Sequence, residues 1–168
     1  VAIARVYSSA MKGSSDECPE LAAKPIPLQA YLSALPCRGG EQLLRDLFVP
    51  LGYDLTVEGY PLDDTFPDWG ESPYYTVTLE ATTRLSELLT HLYVLIPVLD
   101  DEKHYYVDDE EVDKLLRHGE GWLATHPERE LITSRYLKHQ RSLQRDALAR
   151  LLDEEPADQT APHDVPEA

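Results

Sequence analysis

The side chains best suited to chemistry sit in HLYVLIPVLDDEKHYYVDDEE, residues 91–111. Asp100, Asp101 and His104 offer hard and borderline ligands close enough to share one turn, and Asp108, Asp109, Glu110 and Glu111 add further carboxylates. Such a set would suit metal-dependent phosphodiester hydrolysis. The spacing argues otherwise. No H-E-x-x-H and no EF-hand pattern occurs, and the donors fall on both sides of HYYV, which reads as a short strand. Each acid also has a structural use. Asp108 and Glu111 form a D-x-x-E capping pair for the helix EEVDKLLRHG, the acids beside them favour its positive end, and Asp100–Asp101 close the helix before it. The acids are therefore expected to be helix ends and contact residues. No catalytic residue and no metal ligand is expected.

Other candidates are weaker. CRGGEQLL places two glycines before a helix, but matches neither phosphate-binding fingerprint, and Glu41 would repel a phosphate there. No G-x-S-x-G surrounds any serine, and Cys18 and Cys37 form no C-x-x-C. Arg129, Arg135, Lys138, Arg141 and Arg145 are set against one acid, Glu130, with His126 and His139 nearby, on what reads as one helix from about Pro127 to about Leu152. That is a local reversal in a chain of net charge −16. It suits a solvated face, a docking surface for phosphate or an acidic partner, or an autonomous RNA-binding helix. The overall acidity disfavours the last, because the field repels nucleic acid.

The elements that must position these groups follow from periodicity. The chain has 168 residues, enough for one domain with a proper core. Residues 1–12 read as helix, with Val1, Ile3, Val6 and Tyr7 as candidate core contacts, and 13–26 as loop. Leu28, Ala30, Leu32 and Ala34 alternate along a strand, and EQLLRDLFVPLG is a helix packing through Leu43, Leu44, Leu47 and Phe48. YDLTVEGY and YYTVTLEA are half-buried strands, joined by a long connection carrying Phe66 and Trp69, of a length that is usually functional or mobile. Leu85, Leu88, Leu89, Leu92 and Ile96 keep helical period behind Thr83 as N-cap, and Pro97 should end or kink that helix. The expected class is α+β, a mixed or antiparallel sheet covered by helices, with a helical C-terminal part.

The apolar run LYVLIPVL is too short to span a bilayer, so no membrane partner is expected. Nothing like a secretory leader opens the sequence, and two cysteines suit a reducing cytoplasm. VAIARVYSSAM reads as the inside of a helix, and EEPADQTAPHDVPEA as linker.

HLYVLIPVLDDEKHYYVDDEEVDKLLRHGEGWLATHPERELITSRYLKHQRSL, together with PLQAYLSALPCRGGEQLLRDLFVPLGYDL, resembles the N-terminal half of the bacterial 3′-terminal RNA ribose 2′-O-methyltransferase. The resemblance implies a non-catalytic module that binds the ligase of bacterial polynucleotide kinase–phosphatase and stimulates sealing of cleaved RNA. It implies a hetero-oligomer that meets RNA indirectly through the complex, with no cofactor of its own. Methyl transfer would belong to a C-terminal half; no glycine-rich S-adenosylmethionine loop and no E-x-x-E-H-H-like cluster occurs here. Residues 1–153 would form the ligase-activating domain, lacking its first segment, and 154–168 an acidic, proline-rich linker toward a methyltransferase domain. The charge pattern, and not the resemblance, places the partner contacts at Asp100, Asp101, Lys103 and His104, and at Arg135, Lys138, His139 and Arg141.

Overall fold

The structure, a computed structural model, describes residues 2–102, 107–138 and 140–154. Lys103, His104, His139 and most of the expected HYYV strand lie outside them, as does Val1. The protein is α+β, with an antiparallel sheet of three strands among the described residues. β1 (Ile26–Pro36) and β2 (Asp54–Pro61) flank β3 (Glu71–Thr83). Leu32, Val77 and Val57 stand in one row across the sheet, and Ala30, Leu79 and Leu55 in the next. Strand alternation turns this apolar set to one face and leaves Gln29, Tyr31, Thr78 and Glu80 on the other.

The alternation fails once, in β1. Between Leu32 and Leu35 the register shifts, Ala34 takes φ of 52°, and Leu35, not Ala34, is buried. An extra residue in one strand of a pair reverses the inward parity of the residues after it. Ala34, expected on the core face, is thus the exposed residue of a bulge. An L-residue in the left-handed region is strained where glycine is not, so Ala34→Gly should stabilise by about 0.5–1 kcal/mol, read from the midpoint of thermal unfolding.

Helices cover the apolar face. α1 (Ala2–Val6), α2 (Ser8–Met11) and α3 (Pro19–Ala22) are single turns. The expected continuous first helix is thus two pieces, and the expected loop contains a turn of helix. Ile3 packs on the core, while Val6 and Tyr7, expected there, are exposed. α4 (Gly40–Phe48) buries Leu43, Leu44, Leu47 and Phe48 as its period requires. Its glycines serve packing: a Cβ on Gly39 would come within 2.6 Å of the Leu43 side chain, and Gly40 has φ of 74°.

α5 (Leu85–Asp100) is the hub, touching α1, α2, α4 and β1, then α6 (Asp109–Gly119) and α7 (Arg129–Tyr136). Leu88, Leu92, Val94, Leu95, Val98 and Leu99 are buried around most of its circumference, which is why LYVLIPVL shows no polar side. Its start differs from expectation. The N-cap is Arg84, whose N–H reaches Glu87, while the Thr83 hydroxyl donates to the same carboxylate at 2.6 Å. Pro97 does not end the helix, which runs one more turn to Asp100. The Arg84 guanidinium bonded to Glu87 holds that carboxyl down to about 2, against a burial that raises it.

The expected single basic helix is two helices. α7 stops at Tyr136, α8 (Arg141–Glu154) is a separate helix, and Lys138 between them has φ of 53°. No glycine or proline marks this break; the turn buries Tyr136 and Leu137 together. Among the described residues no helix is long and apolar enough to cross a membrane.

Candidate functional site

Asp100 and Asp101 lie where three elements end: Arg38 follows β1, Asp100 is the last residue of α5, and Arg135 stands in the last turn of α7. A helix leaves its last four carbonyls without intrahelical partners, and its C-terminus carries partial negative charge. All four at the end of α5 are satisfied. Pro97 O accepts the Asp101 N–H at 3.1 Å, Leu99 O accepts the Arg38 N–H at 2.9 Å, and Asp100 O accepts Arg38 Nε at 2.8 Å. Val98 O accepts Arg135 Nη1 at 3.3 Å, and the same nitrogen donates to Arg38 O at 2.8 Å. Asp101, in the left-handed region with φ of 47°, turns its carboxylate to Arg135 Nε at 3.6 Å. Glu102 receives Arg38 Nη2 at 2.5 Å.

This corner joins two groups that the sequence places apart. Asp101 and Arg135, expected on separate contact surfaces, pair with each other, and both side chains are only 18% exposed. Their part is to tie α5, α7 and the β1–α4 connection. Asp100 and Lys138 are half-buried beside the tie, and Arg141 is exposed at the start of α8. Arg38 and Glu102 also belong to the corner, and no residue pattern points to them. Arg38 meets its partners 62 and 64 residues away, beyond the reach of any local rule.

Three acids at α6 are likewise engaged. Asp108 caps the helix by accepting the Glu110 N–H at 3.1 Å. Glu111 does not complete the expected reciprocal cap; it receives Lys114 Nζ at 2.6 Å and the Tyr136 hydroxyl at 3.5 Å. Asp113 pairs with Arg150 of α8 at 2.9 Å. Among the described residues, no group of three or more His, Cys, Asp or Glu is placed to hold a metal ion.

The histidines of the core are fixed by their bonds. His91 Nδ1 lies 2.7 Å from the Tyr53 hydroxyl, and its ring meets Trp122 edge-on. Burial pushes His91 down to about 4, with Glu87 opposing and His126 assisting. His126 accepts the Glu128 N–H at Nδ1, so its proton is on Nε2, which donates to Leu47 O at 3.0 Å. Burial lowers its pKa as well. His126 borders a depression of about 530 Å³ with Thr125, Glu128 and Arg129, but both ring nitrogens are occupied within the fold. Cys37 is buried, donates to Gly40 O at 3.2 Å, and burial raises its thiol pKa. Both cysteines are free thiols.

The arrangement defines an α+β protein in which charged side chains serve as structural ties and exposed faces. A family model described as the RNA repair, ligase-Pnkp-associating region of Hen1 matches residues 1–152. The chain belongs to that family. A comparison with curated proteins found no match.

Proposed function

We propose that this chain is a non-catalytic activator that binds the ligase of polynucleotide kinase–phosphatase and stimulates sealing of cleaved RNA, within a hetero-oligomer. The observation that carries the reading is the match to a ligase-associating family across residues 1–152. Two features support it. Asp101, Asp108, Glu111, His91 and His126, which have chemical potential, are engaged in helix caps, ion pairs and core hydrogen bonds. The helical layer is also braced at the ends of its elements, which suits a surface that must keep its shape while a partner changes. Activation of this kind requires binding the sealing-competent state more tightly than the inactive one, and a gain of about tenfold corresponds to about 1.4 kcal/mol of preference. RNA would be met through the ligase and not through this acidic chain.

The test is to add the protein to the ligase and a cleaved RNA, and to follow sealing. Sealing should rise in proportion to complex formed and saturate. Unchanged sealing in the presence of demonstrated binding would reduce the reading to association alone.

A further inference from the structure

We infer that the tip of the β2–β3 hairpin is the anchor by which this protein docks on its ligase partner, on a basic surface of that partner bearing an apolar recess. The inference rests on the ligase-binding reading and adds the contact site to it. Phe66 and Trp69 stack with ring centroids 4.8 Å apart and planes 17° from parallel, yet they remain 50% and 62% exposed. Leu62 beside them is also exposed, as are Tyr60 and Tyr74 on the strands behind. Exposed aromatic and aliphatic side chains gathered at one loop are costly in water and are characteristic of binding surfaces.

The tip is preorganised. The Leu62 N–H donates to Gly70 O at 2.9 Å and closes the loop, while Asp63 accepts the Thr65 N–H at 2.7 Å. The stretch Pro67–Trp69 is a turn of 3-10 helix that sets the indole against Phe66. A rigid aromatic anchor loses little conformational entropy on docking, so more of its burial appears as affinity. The connection is longer than a tight hairpin needs, which is consistent with a loop kept for contact.

Charge selects the occupant. Residues 46–83 contain eight Asp or Glu and no Lys, Arg or His, so this stretch carries −8 of the chain's −16. Asp64 and Asp68 rim the aromatic stack and are exposed. A phosphate backbone would be repelled, and a second copy presenting the same acidic tip would be repelled too. A protein surface with Lys and Arg around an apolar recess fits both the stack and its rim. Such a rim steers encounter, and the buried aromatics hold the complex.

Titration calorimetry of the full protein with the purified ligase tests this, using wild type, Trp69→Ala and the pair Asp64→Lys/Asp68→Lys. Trp69 and both acids are exposed, so the variants should keep the wild-type circular dichroism and melting curve. Trp69→Ala should weaken binding by at least about 30-fold, as loss of an interface hot spot does. The charge-reversed pair should weaken it further at low salt than at high salt. Wild-type binding with Trp69→Ala changed by less than about threefold overturns the anchor and leaves the ligase-binding reading intact. No binding by wild type overturns both.

Discussion

Arg135→Ala should lower the stability of the protein by about 2–3 kcal/mol, although the sequence presents this arginine as one of several surface cations. The guanidinium donates to Val98 O and Arg38 O and faces Asp101 at 3.6 Å, with its side chain only 18% exposed. Truncation leaves a half-buried carboxylate, one carbonyl at the negative end of α5 and one in the β1–α4 connection without their shared cation. Arg135→Lys should recover less than half of the loss, because a single ammonium cannot serve acceptors on opposite sides of a planar fork. Arg141→Ala, at an exposed position, should stay within about 0.5 kcal/mol of wild type. Urea unfolding midpoints, compared at constant slope, decide the matter; equal effects at 135 and 141 would show that the corner is no tie.

The contrast between those two arginines marks the limit of what the sequence reveals. Elements with strong periodicity are legible. Leu43, Leu44, Leu47 and Phe48 face inward as their spacing says, and Tyr75, Val77 and Leu79 alternate as a half-buried strand must. The errors arise where a tertiary contact overrides a local rule. Ala34 gives its inward place to Leu35 because the sheet carries a bulge that no residue type announces. Of the two outcomes open at Pro97, an end or a kink, the end is overridden: Pro97 lies within the last turn of a helix whose carbonyls are satisfied by arginines from elsewhere. The chain turns at Lys138, with a lysine in the left-handed region where glycine would have been the signal.

The candidate site divides in the same way. Asp108 reads correctly as a cap because its partner, Glu110, is two residues away. Asp101 does not read as an internal tie because Arg135 and the turn that delivers it are remote in sequence. Charge pattern locates charged groups; it does not tell which are engaged inside the fold. The stacked Phe66 and Trp69 are a middle case. The length of their connection flags it, and only the fold shows the pair to be ordered and exposed.

The protein should also lose stability as pH falls through the range in which histidine titrates, well before most carboxylates are protonated. His91 has its folded pKa lowered to about 4 from 6.5 by burial, and that of His126 is lowered for the same reason. Between these values the unfolded chain binds protons that the folded chain excludes, so stability is full above the unfolded pKa and declines toward the folded one. His91 alone should account for about 2 kcal/mol between pH 7 and pH 5, and about 3 kcal/mol once pH passes below its folded value. His126 adds to the decline, since protonating Nδ1 would set a second N–H against the Glu128 N–H it now accepts. Glu87 opposes the effect at His91 by attracting the proton, but keeps its own charge throughout this window because Arg84 holds its pKa to about 2. His91→Gln removes the titrating group, and its unfolding free energy should therefore vary less between the two pH values than that of wild type. If the variant and wild type trace parallel curves, the buried imidazole is not what makes the fold sensitive to acid. Should the slope instead flatten in the variant, acid sensitivity resides in the core where α5 meets Trp122, away from the carboxylates that dominate the sequence.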